Sequence, residues 1–263
     1  MEIIVCVKHV PETAEADLVI DESRKRIKTE DLVFDINEWD EYALEEAVLL
    51  KEKYGGSVTV ITIGPEDAED TLRKCLAKGA DKAIRVTDKA IEGSDGYAIA
   101  KILYNVVKDL RFDLILCGAQ ASDDGYAVVG VMLASLLGIP YATMVRKMEI
   151  GDGVAKVTRE LEDGLEEIVE VKLPAVLTIQ TGINKPRYAS IMSIRRARQK
   201  EISVLDLKAV NLAEDEVGEK GSWVIVDELF VPVRKKKGEI LSGDLDQVVS
   251  KIVEVMKERG VLK

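Results

Sequence analysis

The chain has 263 residues, 47% apolar and 32% charged, with a formal net charge of −11. That length buries a proper core as one large or two small domains, and the acidic balance argues against nucleic acid as a general partner, since phosphate neutralisation needs a basic face. Its three cysteines show neither CxxC nor Cys/His spacing, which argues against a disulfide framework or a zinc centre and fits a reducing compartment. In chain order, Glu2–Val7 is apolar and β-branched and reads as a first strand, without the basic n-region of a signal peptide. Nowhere do about 18 apolar residues run together, so a soluble cytoplasmic protein without membrane insertion is expected. Residues 9–36 are too long for a plain βα loop, and Asp17–Ile20 and Arg26–Thr29 around Asp21-Glu22-Ser23 predict a small hairpin insertion.

Strands and helices then alternate. Asp40–Tyr54 reads as a helix with Asn37 as its cap and Gly55-Gly56 as its stop. Ser57–Ile63 is a strand, Glu66–Lys78 a helix closed by Gly79, and Lys82–Val86 a short strand. Tyr97–Leu110, capped by Ser94, carries a clear helical stripe. Asp113–Cys117 is the next strand and Ala127–Leu137 the next helix. Such repeated βα pairs imply a mostly parallel α/β sheet covered on both faces. After Pro140 the pattern changes to hairpins: Ala142–Ile150, Val154–Leu161 and Leu165–Lys172, followed by a last core strand, Ala175–Ile179. From about Glu201 the rhythm is lost. Residues 1–200 are therefore expected to form one α/β domain including the hairpins, and 201–263 an extended arm. The arm ends in the amphipathic helix Asp244–Arg259, whose apolar stripe (Leu245, Val248, Val249, Ile252, Met256) needs a surface to cover it, its own domain or a partner, and the sparse core between 201 and 240 favours a partner.

The most informative stretch is Phe112–Gly125. An apolar strand stops at Gly118, a polar loop follows, and a helix begins. That order sets backbone N–H groups at the carboxyl edge of a parallel sheet, where open α/β proteins hold ligands and a helix N-terminus favours phosphate. The stretch is neither GxGxxG nor a Walker sequence. Asp123-Asp124 can serve the helix N-terminus or hydrogen-bond a ligand. His9 is the one histidine, and no GxSxG accompanies it, so no catalytic residue is assigned. Two basic clusters, Arg195, Arg196, Arg198 with Lys200, and Arg234–Lys237, read either as solvated faces or as docking sites for an acidic partner.

The residues resemble the β subunit of electron transfer flavoprotein along nearly the whole chain. Val5-Cys-Val-Lys-His-Val10 is similar to that family's opening strand, Ala43-Leu-Glu-Glu-Ala-Val48 to its first helix, and Gly64-Pro65 to the end of its second strand. Gly118-Ala-Gln-Ala-Ser-Asp-Asp124 with Gly130 resembles its phosphate-binding loop. Leu173-Pro-Ala-Val176 and Asn184-Lys-Pro-Arg-Tyr-Ala189 resemble the segment leading into its partner-recognition loop.

The resemblance implies a doubly wound, mostly parallel, Rossmann-like adenine-nucleotide-binding domain over residues 1–200 and an electron carrier: the small subunit of a heterodimer with an α subunit, helping to form an FAD site at the interface and holding AMP or a second FAD itself. The nucleotide contacts it implies are Cys6, Asn37, Glu38, Trp39, Asp40, Ile63, Gly118, Ala119, Gln120, Ala121, Ser122, Asp123, Asp124, Gly125, Tyr126, Ala127, Val128 and Val129. The recognition loop, residues 185–200, would present Tyr188, Ile191, Met192, Arg195, Arg196 and Arg198 to acyl-CoA or other dehydrogenases, with electrons passing to a quinone reductase or similar acceptor. Asn37-Glu-Trp-Asp40 departs from the Asn-Pro-Phe of many AMP-binding members. Val10-Pro-Glu-Thr13 is similar to the Val-Pro-Asp-Thr of members that hold a second FAD and bifurcate electrons from NADH, which tilts the reading towards FAD. Ala119, Val128 and Val129 replace the polar residues common in the loop, so phosphate binding would lean more on backbone. The alternative is a stand-alone adenine-nucleotide-binding regulator or ATP-hydrolysing protein of the same fold. An ordinary NAD dehydrogenase is disfavoured because the first strand leads to no GxGxxG.

Overall fold

The computed structural model describes all residues except 14–15, 233–237, 239 and 263. Two compact units are present, Met1–Glu228 and Leu229–Lys263. The first is built from β1 (Glu2–Cys6), β2 (His9–Pro11), β3 (Phe34–Ile36), α1 (Glu38–Tyr54), β4 (Ser57–Ile63), α2 (Ala68–Lys78), β5 (Lys82–Val86) and α3 (Gly96–Val107). It continues through β6 (Leu114–Gly118), α4 (Val129–Leu137), β7 (Tyr141–Gly151), β8 (Val154–Glu160), β9 (Glu166–Lys172), β10 (Ala175–Ile179), α5 (Ile191–Ala197), β11 (Ile202–Leu205) and α6 (Gly218–Gly221). The second unit contains α7 (Leu245–Glu258).

The main sheet has nine strands in the order β11-β5-β4-β1-β6-β10-β7-β8-β9. Every neighbour pair from β11 to β7 is parallel, and only β7-β8-β9 is antiparallel. The chain builds outward from β1 through β4 to β5, then returns to place β6 on the other side of β1. That reversal opens a crevice at the carboxyl ends of β1 and β6. The period-two alternation of a strand divides the core. Ile3 and Val5 of β1 pack with α1 and α2, whereas Ile4 and Cys6 pack with α3 and α4. The doubly wound α/β architecture and the hairpins after Pro140 agree with the sequence reading.

Several details differ from it. The compact unit runs to Glu228, beyond the expected boundary at 200. Strand β11 pairs with β5 at the sheet edge, and Leu207, Val210 and Val217 are buried against the α3/α4 core. These elements are short and their apolar residues scattered, so no periodicity announced them. The hairpin expected at 17–29 contracts to one bridge, Ile20 to Ile27. The antiparallel pairing in that excursion is instead β2 with β3, His9 opposite Ile36. Helix α3 is capped by Asp95, which accepts from Ala98 N–H at 2.9 Å, and not by Ser94. Asn37 stands at the start of α1, but its side chain makes no cap bond. The basic cluster 234–237 lies outside the described residues. No helix among the described residues is long and apolar enough to cross a membrane.

Candidate functional site

The crevice is a cavity of about 210 Å3 lined by the ends of β1, β4 and β6, the 118–128 loop and the first turns of α3 and α4. Local hydrogen bonding explains why the loop stands there. Asp40, buried in the first turn of α1, accepts the backbone N–H of Lys8 at 2.7 Å and of Gly118 at 2.8 Å, stapling the ends of β1 and β6 together. Gly118 carries no side chain because a Cβ would approach Trp39 Cβ to 2.7 Å. Asn37 donates to Gln120 C=O at 2.8 Å and accepts from Ser122 N–H at 3.1 Å, so it holds the loop. Lys8, just past β1, donates to Asp123 and Asp124 at 2.7 Å each, across the mouth of the cavity. Gly125 (φ 65°) and Ala127 (φ 55°) turn the chain through left-handed backbone into α4; for alanine that conformation is strained, as is common at binding sites.

Electrostatics follow from this packing. Burial pushes the Asp40 carboxyl up to about 7, against the downward pull of its two N–H donors. Burial also works against the Lys8 charge, but Asp123 and Asp124 more than offset it and leave its pKa raised. The walls are apolar: Ile61 and Ile63 from β4, Ile99 and Leu103 from α3, and Val128 and Val129 at the start of α4. Helix α4 lies close on the sheet because Gly130 has no Cβ to meet Thr178 Cγ2 at 2.6 Å. Its first-turn N–H groups, left without helical acceptors, face the crevice end of the sheet. An apolar cavity with backbone donors at one end and charged groups at its mouth can hold a ligand that is apolar at one end and anionic at the other.

Of the residues singled out from the sequence, Cys6, Asn37, Asp40, Ile63, Gly118–Ala121, Asp124 and Tyr126–Val129 line the cavity. Glu38, Trp39, Ser122, Asp123 and Gly125 do not. Trp39 Nε1 instead donates to Gln180 Oε1 at 2.9 Å, and Asp123 acts through Lys8. The sequence reading missed Val7, Lys8, Ile61, Ser94–Gly96, Ile99, Leu103 and Cys117 as cavity residues. Ser94–Gly96 had a usable signal, because a helix start after a strand end falls on the same sheet edge. His9 lies elsewhere: its ring stacks on Phe34 at 4.5 Å and Nδ1 meets Thr71 Oγ1 at 2.8 Å.

The segment 184–200, expected from the resemblance to recognise a partner, packs on the α1/α2 face. Arg187 pairs with buried Glu45 and with Glu52, while Asn184 donates to Tyr42 C=O at 3.0 Å and to Glu46 at 2.9 Å. On this base stands α5, capped by Ser190. Tyr188 is 96% exposed, Ile191 80% and Met192 64%, and Arg195, Arg196 and Arg198 are exposed beside them.

Comparison with known proteins agrees in one direction. Residues 26–210 match the electron transfer flavoprotein domain family. The chain is 42% identical over 263 residues to the electron transfer flavoprotein subunit beta of Thermoanaerobacterium thermosaccharolyticum, covering 100% of both chains. To the subunit beta of Methylophilus methylotrophus it is 39% identical, covering 98% of both. To the caffeyl-CoA reductase-Etf complex subunit CarD of Acetobacterium woodii it is 36% identical, covering 100% of both.

Proposed function

The chain belongs to the electron transfer flavoprotein family as a β subunit, and from that premise we propose that its cavity binds an adenine nucleotide while α5 docks the dehydrogenases that deliver electrons. The observation that carries this reading is the cavity at the β1/β6 switch point, where an apolar slot ends on the N-terminus of α4. The base would lie between the β4 isoleucines and the Ile99, Leu103 and Val128 side chains, burying apolar area. The phosphate would accept from the first-turn N–H groups of α4. Lys8 would balance part of its charge at the mouth, and Asp124 would meet the ribose hydroxyls. AMP and the AMP half of a second FAD make the same demands on this slot. A second FAD remains the reading favoured by Val10-Pro-Glu-Thr13.

The chain would also complete an FAD site together with an α subunit. Flavin, when bound there, supplies the electron-carrying chemistry, and this chain's residues supply placement and exclusion of water. Docking would rest on a central apolar anchor, Ile191 or Met192, ringed by arginines. Burial at the centre sets residence time and rim charge sets encounter rate. The test is to co-purify the chain with its α subunit and count nucleotides released on denaturation. One FAD and one AMP per heterodimer, or two FAD and no AMP, supports an adenine nucleotide here. FAD alone at one per heterodimer overturns the proposal for the cavity.

A further inference from the structure

We propose that Cys6 and Cys117 form an oxidisable dithiol in the floor of the cavity, closed to a reversible disulfide by a hydroperoxide. The two residues are Cα partners in the parallel ladder of β1 and β6. Alternation along each strand turns both side chains to the α3/α4 face, where they share one cluster with Ile4 and Ile115. Both line the cavity and retain slight exposure, 8% and 5%. The third cysteine, Cys75, is fully enclosed between α2 and the opposite face of the sheet, so it provides an internal control.

Adjacent strands lie about 4.8 Å apart, inside the roughly 4.4–6.8 Å Cα separation a disulfide spans. Two Cβ atoms leaving neighbouring parallel strands side by side stand wider than the ~3.8 Å of a relaxed bridge. Closing the bond therefore draws the strand ends together. A bridge strained in this way has a raised potential and is readily reduced, which is the behaviour of a regulatory disulfide and not of a structural one.

The chemistry balances with peroxide as the oxidant. One thiolate sulfur attacks a peroxide oxygen, the O–O bond breaks, and a sulfenic acid forms as water leaves. The second sulfur displaces the sulfenic oxygen as a second water, so the two thiols lose two hydrogens and one peroxide becomes two waters. The Cys6 neighbour and then burial hold the Cys117 thiol well above its ordinary range, so Cys117 reacts slowly at neutral pH and faster in base. Gly130, near the start of α4, sits over Cys117: a Cβ there would stand 3.5 Å from Cys117 Sγ. The bridge would thus form beneath the helix start assigned above to phosphate.

The experiment treats the full chain, co-purified with its partner subunit, with hydrogen peroxide and maps its peptides without reduction. The expected result is a Cys6–Cys117 cross-link lacking two hydrogens, reversed by dithiothreitol, forming faster from about pH 7 to 9, with Cys75 unmodified. Cys75→Ser should retain the link and Cys117→Ser should lose it. Recovery of Cys6 and Cys117 unlinked, whether reduced or singly oxidised, overturns the proposal. Repeating the oxidation with added AMP rests on the nucleotide reading and is expected to slow the link. A link that forms equally fast with AMP leaves the dithiol standing and counts only against the nucleotide.

Discussion

Asp40 shows how one side chain can decide the shape of a site. Its carboxylate receives two backbone N–H groups from different strands, an arrangement that fixes both strand ends but removes the group from water. Its folded-state pKa, about 7, lies above the ordinary 3.8. The folded state therefore holds the proton more tightly than the unfolded chain. The stability Asp40 contributes is full below the ordinary carboxylate value, falls as pH rises towards 7, and is flat beyond. Asp40→Asn should abolish that part of the pH dependence. It should also cost about 1–3 kcal/mol in acid, because an amide oxygen replaces only one of the two acceptors and leaves a buried N–H unpaired. Urea midpoints of both proteins at pH 5 and 7.5 check this; an unchanged wild-type-minus-variant difference across that range would exclude the mechanism. The family resemblance placed Asn37 and Asp40 among the expected ligand contacts. Their hydrogen bonds to the 118–122 loop could not be read from the sequence, since the partners lie about 80 residues away.

Among the elements, the long helices and buried strands were legible because their apolar residues repeat with period 3.6 or fill a run. Strand β10 matches the sequence expectation residue for residue. The short elements without a buried apolar run, β2, β3, α5 and β11, were not legible. Helix α5 has seven residues, too few for a periodic stripe, and most of its apolar side chains face outward. That outward face is what the docking proposal uses. Ile191→Asp should lower kcat/KM for dehydrogenase-driven reduction of the complex by at least about tenfold, or ~1.4 kcal/mol. Nucleotide content should stay the same, because the α5 residues do not line the cavity. Full transfer activity in the variant would remove Ile191 from the docking surface. The basic residues beside it would then be a solvated face, which is the ordinary role of such clusters.

For the whole molecule, the division into two compact units has a direct consequence. The unit Met1–Glu228 contains the complete nine-stranded sheet and both core clusters, so a chain ending at Glu228 should unfold cooperatively. Helix α7 carries a capping box, Asp244 with Gln247, yet Leu245 is 78% exposed and Val249 and Ile252 are also exposed. A capped helix whose apolar stripe faces water suits a partner surface. Truncation after Glu228 should therefore preserve the urea transition of the first unit and abolish co-purification with the α subunit. Retention of the partner would place the α-subunit interface entirely on Met1–Glu228.

By itself the sequence determined the α/β class, the strand-loop-helix at 112–137 and the family, because these rest on local periodicity and on short motifs held in order. Only the tertiary structure decided that residues 202–205 add an edge strand beside β5, that Lys8 reaches the 123–124 aspartates, and that Cys6 meets Cys117. Each of those joins residues distant in the chain, and their proximity arises when parallel strands from different βα units are set side by side.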